Sequence, residues 1–61
     1  MFTMIYAVRM GNEVKEVKAK KSYRFIEDAR VDAESIKDIV AMRVFDKAGL
    51  RVYSKRMEKR G

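Results

Sequence analysis

The chain has 61 residues, enough for one domain, and folding at that size buries only about 60% of the surface the unfolded chain exposes. Cysteine and histidine are absent, which excludes disulfide staples and the usual zinc ligand sets and leaves a partner or a second copy as the expected source of further burial. Lysine and arginine number 15 against 9 acidic residues, a net charge of +6, which favours anionic partners: nucleic acid, an acidic protein or an anionic membrane surface. Nucleic acid, or an acidic or nucleic-acid-binding protein, is the expected partner, with no membrane.

Residues 2 to 10 alternate as a strand, with Phe2, Met4, Tyr6, Val8 and Met10 on one face and Thr3, Ile5, Ala7 and Arg9 on the other. Gly11-Asn12 follows as a two-residue hairpin signal of type II′. That turn sets Met10 opposite Glu13, Tyr6 opposite Val17 and Met4 opposite Ala19, and leaves Val14, Glu16, Lys18 and Lys20 on the face of Ile5 and Ala7. A helix over residues 13 to 21, capped by Asn12, is the competing reading. The run Lys18-Ala19-Lys20-Lys21 favours a solvent-facing edge strand, where lysines discourage sheet-to-sheet pairing.

From Ser22 the period changes. Ile26, Ala29, Ala33, Ile36 and Val40 recur at three- and four-residue spacing with Phe25 on their flank, which predicts an amphipathic helix from Tyr23 to about Lys37 capped by Ser22. Glu27, Asp28, Asp32 and Glu34 make its outer face acidic, and Lys37 suits its C-terminal end.

A second hairpin occupies Val40 to Lys55. Asp46-Lys47-Ala48-Gly49 reads as a type I turn ending in a left-handed glycine. With Gly49 as the bulge, Asp46 opposes Leu50 and Val44 opposes Val52. Val40, Met42, Val44, Leu50 and Val52 then form the core face, and Arg43, Phe45, Arg51, Tyr53 and Lys55 the other.

The expected fold class is therefore α+β, with order β-β-α-β-β. A right-handed crossover leads to a four-stranded antiparallel sheet in order 2-1-3-4, one helix on one face. Residues 1–56 form the single domain and 57–61 a basic C-terminal tail. The uncovered face presents Arg9, Lys18, Lys20, Arg43, Arg51 and Lys55 around Ile5, Ala7, Val14, Phe45 and Tyr53. Arginine and lysine meeting phosphates beside rings that stack on bases is the composition of single-strand-binding sheets. The candidate nucleic-acid or partner-binding residues are thus Arg9, Lys18, Lys20, Arg43, Phe45, Arg51, Tyr53 and Lys55. The apolar members of that patch also suit a homodimer.

Catalysis finds few instruments. Ser22, Ser35 and Ser54 lack a general base in the pattern, and the three glycines fit no phosphate-binding loop. The expectation is a non-enzymatic protein without cofactor, metal or small-molecule substrate. No apolar run approaches the ~20 residues of a membrane span, and MFTMIYAVRM lacks the marks of a secretory signal, so a cytoplasmic setting is expected.

Through VKEVKA, the acidic helix and MRVFDKAGLRVY, the layout resembles compact phage-encoded inhibitors of host machinery, such as anti-CRISPR proteins, antitoxins and RNA polymerase inhibitors. That resemblance implies a binder that acts by occupying a surface, often a nucleic-acid-binding one on its target.

Overall fold

A computed structural model describes residues 1–57. Its elements are β1 (Thr3–Met10), β2 (Glu13–Lys18), α1 (Ile26–Glu34), β3 (Ile39–Phe45) and β4 (Arg51–Arg56). The four strands form one antiparallel sheet in the order β2-β1-β3-β4, as the hairpins and the crossover require. Residues 13 to 18 are strand, so the competing helix is overturned.

The first hairpin follows its turn. Gly11 has φ +64° and Asn12 does not turn left-handed, as a type II′ turn demands. Tyr6 lies opposite Val17 and Met10 opposite Glu13, and the Ala19 amide donates to the Met4 carbonyl at 2.9 Å.

The helix is shorter at both ends than its apolar spacing predicts. Tyr23 is held in a bridge with Phe2, its amide donating at 2.8 Å and its carbonyl accepting at 2.6 Å, which buries the ring and keeps the chain extended. The helix therefore starts after Phe25, extended at φ −127°, with no side-chain cap from Ser22 or any other residue. At the other end the Ser35 hydroxyl donates to the Asp32 carbonyl at 2.7 Å. Asp38 then takes φ +63°, a left-handed conformation aspartate tolerates better than most residues, and turns the chain into β3. Lys37 lies beyond the last turn, which carries no basic residue.

Between helix and sheet lies the core: Met4, Tyr23, Ala29, Ala33, Met42 and Val44. Tyr6, Ile26, Ile36, Ile39, Tyr53 and Met57 pack around it half-buried. Leu50 and Val52, expected in this core, are 66% and 43% exposed.

The second hairpin explains the difference. Its turn is the expected one: Gly49 has φ +86° and donates to the Asp46 carbonyl at 3.0 Å, while the Asp46 carboxylate accepts the amides of Ala48 and Leu50 at 2.9 Å each. Asp46 faces Leu50, its amide donating to the Leu50 carbonyl at 2.9 Å, and Phe45 faces Arg51. The register then shifts by one. Val44 pairs with Tyr53 rather than Val52, Arg43 with Ser54, Met42 with Lys55 and Ala41 with Arg56, so Val52 is an extra residue. A one-residue slip reverses the faces of everything beyond it. Tyr53 and Lys55 thus belong to the helix side, and Ser54 and Arg56 to the open side. The physical reason is burial: tyrosine brings far more apolar area under the helix than valine does, and it can keep its hydroxyl in water. A second bulge leaves Val40 unpaired between Ala7–Ala41 and Val8–Ile39.

β4 ends at Arg56, and one further residue is tied to β3. The Met57 amide donates to the Val40 carbonyl at 2.8 Å and its side chain packs on the core. Residues 58–61, the rest of the expected basic tail, lie outside the described residues.

The register fixes a stability comparison. Tyr53→Ala is expected to cost about 1 to 2 kcal/mol for the half-buried ring it removes. Val52→Ala, at an exposed position, is expected to cost less than about 0.5 kcal/mol. Urea denaturation midpoints at constant slope check the order of the two.

Candidate functional site

The uncovered face of the sheet can be read row by row from the register. Thr3, Phe45 and Arg51 form one row across β1, β3 and β4. Lys18, Ile5, Arg43 and Ser54 form the next across all four strands, then Glu16, Ala7, Ala41 and Arg56, and finally Val14 with Arg9. Ile5, Ala7, Ala41 and Phe45 are half-buried and Val14 is 50% exposed, so the middle of the face is a low apolar floor.

Of the eight candidate residues, Arg9, Lys18, Arg43, Phe45 and Arg51 share this face. Lys20 lies in the exposed connection beyond β2. Tyr53 and Lys55 do not belong to the face, for the reason of register given above. Tyr53 lines a notch beside Ile26, Glu27 and Arg30, and the Lys55 ammonium lies 3.8 Å from the Glu34 carboxylate. Arg56 takes the place expected of Lys55, and its position was missed because nothing in RVYSKR marks Val52 as the residue to be skipped.

The basic character of the face survives this exchange. Arg9, Lys18, Arg43, Arg51 and Arg56 stand on it, and Glu16 is the only acid in its paired rows among the described residues. Arg43 and Glu16 are joined by an ion pair that crosses β1. On β1 between them, Ala7 is the register partner of Glu16 and Ile5 that of Arg43.

On the helix side, acids and bases largely satisfy one another. Arg30 pairs with Glu27 at 3.4 Å, Lys55 with Glu34, and Lys21 with Asp32 at 3.0 Å. Lys21 also lies over the Tyr23 ring, 5.1 Å from its centroid. Hydrogen bonds from Lys21 and from Tyr23 hold the Asp32 carboxyl below its ordinary range. Burial, together with the hydrogen bond to Asp32, pushes the Tyr23 phenol up to about 12. A cleft of about 810 Å³ opens at the helix C-terminus between Ile36, Ile39, Val40 and Met57, but Arg9, Lys37, Lys55 and Arg56 share its lining with Glu34 and Asp38. Its charge is mixed where that of the sheet face is predominantly positive.

Comparison of the chain with protein-family models, with characterised proteins and with solved structures gives no match.

The Tyr23 shift carries a sign that can be measured. A phenol whose folded pKa is raised contributes stability that is present below its unfolded value of 10 and is lost as pH rises towards 12. Phenolate absorbance should show one tyrosine ionising near pH 12, or on alkaline unfolding, and Tyr23→Phe should remove that titration and flatten the stability loss between the two values.

Proposed function

We propose, from geometry and charge alone, that the protein is a non-enzymatic binding module acting in a nucleic-acid transaction, with its open sheet face laid against a single strand. One observation carries this reading: among the described residues, the rows of the uncovered face set Lys18, Arg43 and Arg51 against the single acid Glu16, around a half-buried apolar floor. Phosphates account for the cations, and the exposed parts of Phe45 and Ile5 offer surface to bases. With Tyr53 beneath the helix, the face has one ring instead of two, so backbone contacts carry more of the affinity than stacking.

Its dimensions favour a single strand over a duplex. The outer strands of a four-stranded sheet are about 14 Å apart, backbone to backbone. The major groove is ~12 Å wide and accommodates a two-stranded ribbon. Bases must therefore come out to meet this face.

A protein partner is the second reading, favoured by a different observation. Phe25 and Val31 are 60% and 55% exposed beside the acidic side chains of α1. Through that surface the module would engage a basic protein, including one that itself handles nucleic acid.

Titration of a labelled single-stranded oligonucleotide tests the first reading. Binding should be detectable at ~50 mM salt and should weaken with a log-log slope of about −0.7 per phosphate neutralised. Arg51→Ala and Lys18→Ala should each make that slope shallower by about 0.7, with the fold intact. Absence of binding to both single and double strands at ~50 mM salt would contradict it.

A further inference from the structure

The ion pair between Glu16 and Arg43 crosses β1 on the face that the proposed function uses. We infer that Glu16 is an internal stand-in for a phosphate: it holds Arg43 in the free protein and must be displaced when a nucleic-acid strand binds. The inference rests on the reading above and concerns how that same site is regulated.

Three features point this way. Among the described residues Glu16 is the lone acid in the paired rows of the face, and it pairs across the intervening strand, not with Lys18, two residues along its own strand. A carboxylate presents two oxygens to a guanidinium fork much as a phosphodiester does, so the two ligands compete for one geometry. Both partners remain open to solvent, with side chains 38% exposed for Arg43 and 61% for Glu16, so a strand can reach Arg43 without unfolding the sheet.

The consequence is selectivity for polyanions. An isolated phosphate gains no more from Arg43 than Glu16 already supplies. A strand that also meets Lys18 and Arg51 brings several contacts at once and displaces the carboxylate. Short ligands and free phosphate are excluded, whereas oligonucleotides are admitted.

Glu16→Gln keeps the shape and removes the charge. With wild type, Glu16→Gln, Arg43→Ala and the double variant, each shown to be folded by its thermal melt, oligonucleotide affinity is measured over a range of salt. Glu16→Gln is expected to bind about three- to ten-fold more tightly at ~50 mM salt with the slope unchanged, because Arg43 meets a phosphate in both complexes and only the cost of displacing the carboxylate is gone. In the Arg43→Ala background, with no ion pair left to break, the same substitution should leave the affinity nearly unchanged. An equal gain in affinity in both backgrounds would overturn the inference, because Glu16 would then act only by general repulsion, and a slope steeper by about 0.7 in Glu16→Gln alone would overturn it too, because Glu16 would then hold Arg43 back in the wild-type complex. Unchanged affinity in Glu16→Gln while wild type binds overturns the inference alone. Absence of binding by all four proteins overturns it together with the proposed function.

Discussion

Two buried alanines set the distance between helix and sheet, and much else in the molecule follows from that close approach. Ala29 and Ala33 have no accessible surface, and beneath them lie Met4, Met42 and Val44. Nine helical residues cannot cover four strands, so the outer ones meet the helix only through long side chains. Tyr53 reaches in from β4, and Tyr23 closes the core from the chain that leads into the helix. In a domain this small the hydrophobic term is modest and every ring counts. The bulge at Val52 follows from that shortage, since it trades a valine for a tyrosine at the one place beneath the helix that β4 supplies.

That trade also decides the composition of the opposite face. Bringing Tyr53 inward turns Lys55 towards Glu34 and presents Ser54 and Arg56 on the open side. Packing on one side of the sheet and charge on the other are therefore linked through a single unpaired residue. The helix-side lysines Lys21 and Lys55 are paired with α1 acids, whereas among the described residues the rows of the open face set Lys18, Arg43 and Arg51 against Glu16. Charge segregation along the chain thus becomes segregation between two faces.

Most of this architecture was legible in the residues. Gly11-Asn12 and Asp46 to Gly49 specify both turns, the alternation from Phe2 to Met10 specifies the faces of β1, and the alanine spacing specifies which side of α1 is buried. The strand order follows from two hairpins and one crossover. The losses are of one kind: places where tertiary packing outweighed a local preference. Ser22 is a good helix cap, yet the Tyr23–Phe2 bridge holds that stretch extended. Val52 fits the alternation of β4, yet it is skipped so that the ring beside it can be buried. Within the candidate site, Arg9, Lys18, Arg43, Phe45 and Arg51 were legible because they lie before the slip. Tyr53, Lys55 and Arg56 were not, because they follow it.

The central claim is that Val52 lies outside the ladder and that Tyr53 faces the helix. Nuclear Overhauser contacts of the Tyr53 ring test it most directly. The account predicts cross-peaks from that ring to the side chains of Ile26 and Val44, with the backbone of Arg43 opposite Ser54. Contacts instead from the Tyr53 ring to Arg43, with Val52 methyls against Val44, would contradict it.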